Sequence, residues 1–449
     1  MSKKPHLPLS IQVLYGVGVS YAIVDQIFAQ WVLTYYLPPA NFSFRPFLSP
    51  LFIAMALVIS RFVDMVADPL IGYWSDRVDS KWGRRIPFIF LGSIPLAIMT
   101  VAFFYPIKTG GVPTFLNLAV VGCLFFIFYT IVGAPYNALI PEISQGQNDR
   151  LNLATWQSVF RLIYTAIAMI LPGILIKVFG RGDDEFGLRM MVIALAALAV
   201  IGMMITSLSI NERKYSGGKK SKENLFSSLG TMFSNKSFVL YLFGLLCFFI
   251  GFNTLRASMN YYVTDIMGFG PGSITIASAL LFGVAAAFFY PINRISKNFG
   301  YRKPMLFSLA SLVVFSLLLF QLGKLIPANG GFIIFALTGI PVAGAAFIFP
   351  PAMLSEISAV AAHKTGRQIE GMFFGMQGFF LKLAFLVSIA ALPLILVSGT
   401  GISFIQAMTT TPEAPSLSGI YGTTLFSTIF FAFAFLFYLL YPEEIIKED

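Results

Sequence analysis

Twelve apolar runs, each long enough to cross a bilayer, decide what this 449-residue chain can fold into. The hydrocarbon core of a membrane takes about 20 predominantly apolar residues per helix. By that measure the runs lie at 11–37, 49–75, 87–106, 114–140, 151–179, 188–209, 237–266, 272–293, 304–323, 331–356, 369–397 and 419–441. Backbone polar groups surrounded by lipid must be paired within their own segment, so each run implies a helix. The chain is 57% hydrophobic and only 11% charged, with a mean hydropathy of +0.80. Ordinary soluble domains carry about 25% charged residues. Such a chain cannot cover itself with a water-compatible surface, and the lipid bilayer is its expected partner.

The net charge of +10 reads as topology rather than as a nucleic-acid site, because the basic residues sit in short loops between apolar runs. With both termini in the cytoplasm, 20 of the 30 Lys and Arg residues fall in cytoplasmic segments. The outer loops and their margins hold 6, namely Arg45, Lys108, Lys177, Arg181, Arg189 and Lys324, and the other 4 lie within spans. A multi-pass protein of the cell membrane is expected. Met1 to Ser10 carries Lys3 and Lys4, and no small-residue cleavage site follows, so the first run reads as a retained helix. Cys123 and Cys247 lie in apolar runs, which argues against a disulfide framework, and His6 and His363 have no metal-ligand spacing.

The longest polar interval, Asn211 to Lys236, divides the runs into six and six. It predicts a bundle over 1–210, a linker over 211–236 and a second bundle over 237–449. An internal repeat agrees. Asp76-Arg77, Gly83, Arg85 and Pro87 recur 217 residues later as Asn293-Arg294, Gly300, Arg302 and Pro304. Each copy sits between the second and third helices of its half. Asp76, Arg77, Arg84, Arg85, Arg294 and Arg302 are therefore candidate gating residues.

Seven charges fall inside the spans, away from their ends: Asp25, Arg61, Asp64, Asp68, Arg161, Arg256 and Lys382. Each costs roughly 2.5–3.5 kcal/mol at the bilayer centre even on insertion scales. Asp64 and Asp68 are i and i+4, so both carboxylates leave one helical face, with Arg61 one turn earlier. Two carboxylates this close in a poorly hydrated site must share a proton, a metal ion or an organic cation. Pro69 follows at once and frees backbone carbonyls. Lys382, midway along the eleventh run, is a natural counter-charge. Gln157 and Arg161 are another i, i+4 pair and suit polar contact with a substrate. Asn253, Arg256 and Asn260 share a face of the seventh helix, which is either a cavity wall or a row of interhelical hydrogen bonds.

Arg61-Phe62-Val63-Asp64-Met65-Val66-Ala67-Asp68-Pro69-Leu70-Ile71-Gly72 continues through Ser75-Asp76-Arg77 to Trp82-Gly83-Arg84-Arg85-Ile86-Pro87. Together with Pro135 to Glu142, Tyr261-Tyr262 and Gln377 to Lys382, this stretch resembles the glycoside–pentoside–hexuronide:cation symporters, the melibiose permease group of the major facilitator superfamily. The resemblance covers both halves. It implies an all-α membrane fold of twelve transmembrane helices in two six-helix bundles. It also implies a symporter driven by Na⁺ or H⁺, with no cofactor besides the coupling ion. Matched residue by residue, it gives Asp64, Asp68, Thr130 and Lys382 as the cation site and Asp25 as a sugar ligand. Asn137, Gln157, Arg161, Asn260 and Gln377 complete the candidate substrate site.

Two departures bear on the substrate. The helix IV acid of that family falls on Gly133, which offers no acceptor and is expected to leave extra space. The helix V arginine falls on Ser158, with Arg161 one turn further on. A sugar or glycoside is the leading substrate, and an amphiphile such as a lysolipid is the alternative. A non-transporting membrane enzyme or sensor is the remaining class, and the sequence contains no phosphate loop, nucleophile elbow or zinc motif to support it. A monomer acting on a small molecule is expected.

Overall fold

The computed structural model describes residues 7–75, 77–78, 80–144, 147–215, 234–365, 370–399, 404–412 and 414–442. Among the described residues twelve long helices follow one another. They are α1 (Leu9–Tyr36), α2 (Pro50–Ser75), α3 (Ile86–Ala102), α4 (Gly111–Ile143), α5 (Gln147–Gly180) and α6 (Asp184–Ser209). Then come α7 (Lys236–Ile266), α8 (Gly272–Phe299), α9 (Arg302–Phe320), α10 (330–365), α11 (Glu370–Leu396) and α12 (Leu417–Leu440). Among the described residues eleven are long and apolar enough to cross a membrane, and α3, with 17 residues, is the shorter twelfth. The apolar run from which α3 is expected extends to 106. Pro106 biases the residue before it away from helical geometry, and the chain leaves the helix at Ala102.

Local chemistry sets the ends. Asp183, Asn235 and Ser416 cap α6, α7 and α12, each accepting a hydrogen bond from the amide three residues on. Such caps satisfy donors that a helix start leaves unpaired. The repeat carries a backbone signature as well: Gly83 and Gly300, just before α3 and α9, both have left-handed φ, +112° and +73°. A side chain at Gly83 would also run into the Glu212 carboxylate.

Contacts divide the chain into two units. The first comprises Met1–Pro38, Phe42–Ser221 and Thr409–Ala414; the second comprises Pro39–Asn41, Lys222–Met408 and Pro415–Asp449. In the first unit α1 lies directly on α6, where a Cβ on Gly202 would collide with Ser20 Oγ. Ser20 Oγ donates to the Ala199 carbonyl at 2.7 Å. Small residues and side-chain-to-backbone hydrogen bonds are how helices approach closely without a hydrophobic drive between them. In the second unit α8 meets α10 the same way, at Gly339 against the Leu281 carbonyl. Large apolar side chains that point out of each unit, such as Leu208 on α6 and Phe307 on α9, both 73% exposed, suit lipid rather than water.

Three helices are irregular. α1 tightens into a 3₁₀ turn at Gly18–Tyr21 and widens into a π-helical turn at Phe28–Val32, with Asp25 between them. α7 widens at Tyr262–Ile266 and α10 at Ala343–Ile348. Such turns recur at functional sites.

Candidate functional site

The mid-membrane charges of this cluster in the first unit come from α1 and α2, and a hydroxyl joins them from α4. Arg61 is buried and donates from Nη1 to Asp64 Oδ2 at 3.1 Å and from Nη2 to Asp25 Oδ1 at 3.4 Å. The first pair follows from i, i+3 spacing on α2; the second joins α2 to α1. The guanidinium also lies 4.3 Å from the Phe126 ring centroid and 5.4 Å from that of Phe28. Aromatic faces attract cations most where water is excluded. Asp64 is fully buried. At about 4 Å and an effective dielectric near 20, a counter-charge is worth roughly 4 kcal/mol, which offsets much of the desolvation.

Thr130 on α4 closes the cluster. Its hydroxyl lies 3.2 Å from Asp64 Oδ1 and 3.3 Å from Asp68 Oδ1. One hydroxyl proton thus faces two carboxylates, and three hard oxygens converge within hydrogen-bond reach. That donor set suits an alkali cation or a proton, whereas zinc and copper favour nitrogen and sulfur. Among the described residues no group of three His, Cys, Asp or Glu is placed to hold a metal ion.

A second polar cluster lies beside the first. Gln157 Nε2 donates to Asn137 Oδ1 at 2.8 Å, joining α5 to α4. Arg161 Nη2 donates to the Tyr21 hydroxyl at 3.2 Å, joining α5 to α1. The Tyr21 ring packs edge-on against Tyr129 and Tyr136, with centroids 5.4 and 5.5 Å away. Arg161 and Asn137 are exposed, and Asp25 keeps a quarter of its side chain accessible. The expected space at Gly133 is not open. A Cβ there would meet Tyr21 Cε2 at 3.4 Å, so the tyrosine ring occupies the volume in front of it. Tyr136 is fully buried, and its ring stacks on Tyr15 with centroids 4.6 Å apart. It is packing.

At the α2–α3 loop, Arg84 and Arg85 both pair with Glu142 at 3.1 Å. Glu212, in the short helix Glu212–Tyr215, accepts from the amides of Arg84, Arg85 and Ile86 at 2.8–3.1 Å. It thereby caps α3 from more than 120 residues away, a role no local pattern signals. Arg77 is exposed, and Asp76 lies outside the described residues. In the second unit Arg302 donates to the Tyr438 and Leu439 carbonyls at the end of α12, and Arg294 is exposed. Asn260 is fully buried on α7, while Gln377 and Lys382 are half-buried on α11.

Against known families, residues 14–443 match the model described as MFS/sugar transport protein. The chain belongs to that family. Its members are transporters rather than enzymes. An uncharacterised symporter of Synechocystis sp. is 31% identical over 38% of this chain, and the chain spans only 31% of that relative's length. A putative glycoside/cation symporter of Escherichia coli K12 is 24% identical, covering 73% of this chain and 70% of the relative. The sodium-dependent lysophosphatidylcholine symporter 1 of Gallus gallus is 23% identical, covering 76% and 70%. Among solved structures, a bacterial homologue of the human lysosomal transporter Spinster superposes with a TM-score of 0.67 at 15% identity over 98% of each chain. At that identity the likeness is one of fold, and the major facilitator fold expected from the sequence is borne out.

Proposed function

We propose that the chain is a cation-coupled symporter that carries a sugar or glycoside across the cell membrane by alternating access. The observation that carries this reading is the position of Arg61, which touches both halves of the machinery. One nitrogen holds Asp64, which Thr130 links to Asp68; the other holds Asp25, beside the Tyr21–Arg161 cluster. Na⁺ or H⁺ arriving at Asp64 and Asp68 weakens the hold on Arg61, and substrate arriving at Asp25 does the same from the other side. Both ligands thus act on one guanidinium, which couples the two sites. Asn137, Gln157 and Arg161 supply further hydrogen bonds to the substrate. Asn260, Gln377 and Lys382 are the second unit's contributions, and Lys382 acts as a counter-charge in the empty carrier. Arg84, Arg85, Arg294 and Arg302 serve the gating loops, with Asp76 and Arg77. The functional form is a monomer of two six-helix bundles, 1–210 and 237–449, joined by the linker 211–236, with both termini cytoplasmic.

A second reading has support of its own: the lysophosphatidylcholine symporter among the relatives favours an amphiphile on the same coupling machinery. Uptake into proteoliposomes separates the two. A panel of sugars, glycosides and lysolipids is offered under an inward Na⁺ gradient and, separately, a proton gradient. Concentrative uptake should appear for one substrate class and vanish in the Asp64→Asn, Asp68→Asn double variant. Full accumulation by that variant would overturn the cation site. Response to lysolipids alone would leave the coupling intact and change the cargo.

A further inference from the structure

The second unit contains an elongated slot of about 460 Å³ between α8, α9 and α10. On α8 its wall is a single stripe of Phe288, Ile292, Ile295 and Phe299, spaced by three, four and seven residues. On α9 the lining runs from Lys303 through Phe307 and Ser311 to Phe315, one residue per turn. At a rise of 1.5 Å per residue that row is about 18 Å long, longer than half of the ~30 Å hydrocarbon core. Pro291 of α8 and Pro341 of α10 also line it, and each interrupts its helix's hydrogen-bond ladder where the walls part. The π-helical turn of α10 begins two residues after Pro341, at Ala343.

Charge is confined to one end, and the two serines of the lining, Ser308 and Ser311, lie part-way along it. Ser311 in the middle of the row already donates to the Phe307 carbonyl at 2.8 Å. Lys303 is the one charged residue of the lining. It is exposed, sits at the first turn of α9, and among the described residues forms no ion pair. Phe299 and Phe307 flank it at the rim, 60% and 73% exposed. A long, greasy channel with an ammonium at its mouth does not suit a sugar, which needs hydrogen bonds along its length. It complements an amphiphile with an anionic head.

We propose that this slot is a binding site for one anionic phospholipid, with an acyl chain along the α8–α9 stripe and the phosphate on Lys303. The positive-inside reading puts this loop at the cytoplasmic leaflet, where anionic headgroups concentrate. The site is built entirely within the second unit and uses none of the residues assigned to coupling or cargo.

The full chain, purified in mild detergent, is titrated with phosphatidylglycerol and, separately, with phosphatidylcholine and with inorganic phosphate. Bound lipid is counted by native mass spectrometry and thermal stability is followed. Wild type should retain one phosphatidylglycerol in preference to phosphatidylcholine, and inorganic phosphate alone should not stabilise it. Lys303→Gln should weaken phosphatidylglycerol binding about fivefold, which is roughly 1 kcal/mol. Ser311→Phe, which fills the slot and leaves the charge in place, should weaken binding of both lipids. Equal retention of the two lipids by wild type and Lys303→Gln would overturn the proposal, because the slot would then hold any chain. Stabilisation by inorganic phosphate to the same extent would overturn it too, because the anion alone would then suffice. So would dimers of the detergent-purified chain that Ser311→Phe dissociates, since a second copy would then be the occupant.

Discussion

Arg61 makes the sharpest single-residue prediction. It holds the buried Asp64 carboxylate on its own helix, α2, and reaches across to Asp25 on α1. Removing one member of a buried ion pair costs about 3–5 kcal/mol, whereas replacing both members is often neutral. Arg61→Met should therefore destabilise the protein by an amount in that range, and Arg61→Met with Asp64→Leu should recover most of it. Thermal unfolding in detergent reads both. Equal destabilisation by the single and double variants would show that Arg61 acts apart from Asp64. The Arg61–Asp64 pair was legible in the sequence because i, i+3 spacing on a helix fixes a shared face. Tyr21 was not. A tyrosine in an apolar run carries no mark of its partners, and only the packing of α1 on α4 and α5 brings it to Gly133 and Arg161.

At the scale of elements, the joint between α3 and α4 is sensitive to pH. Burial pushes the Glu142 carboxyl above its ordinary value of 4.5, and the neighbouring Glu212 carboxyl, within hydrogen-bond reach, pushes it further; Arg85 and Arg84 pull it back only in part. Glu142 Oε2 is buried without a donor, so a proton between the two acids supplies the missing hydrogen bond. A folded-state pKa above the unfolded one means that the folded state holds the proton longer. The joint's stability is then fully present below about pH 4.5 and declines as the pH rises through the raised value. Glu142→Gln cannot titrate, and its unfolding temperature should fall less over that window than that of the wild type. Parallel pH profiles would remove Glu142 as the cause. The twelve helices themselves were legible because the bilayer fixes their length. Their irregular turns were not, since hydropathy reports that a segment is apolar and nothing about its backbone hydrogen bonds.

For the whole molecule, the repeat and the polar interval at 211–236 make each half a candidate for independent insertion. Fragments Met1–Ser221 and Lys222–Asp449, cut at the boundary of the contact units, should give transport when co-expressed and none alone. Uptake in cells expressing each fragment singly or both together is the measurement. Failure of the pair despite insertion of both would mean that the continuous linker is needed for assembly. Residues that repeat at a separation of 217 suggest a two-fold plan, and Gly83 and Gly300 share a left-handed φ. The cargo was not readable, because it depends on side chains that this chain has changed relative to the family it resembles. One further property follows from the stacked rings of Tyr15 and Tyr136. Tyr15 donates to the Tyr136 carbonyl at 3.2 Å, and Tyr136 donates to the Tyr15 carbonyl at 2.7 Å. Each ring is thus buttoned to the opposite backbone, and at that level α1 and α4 can only travel in lockstep. Whatever flexing α1 performs is left to the stretch beyond the button, from the tight turn at Gly18–Tyr21 to the loose one at Phe28–Val32. Asp25 rides on that elbow, so a bend of a few degrees there swings its carboxylate towards or away from Arg61.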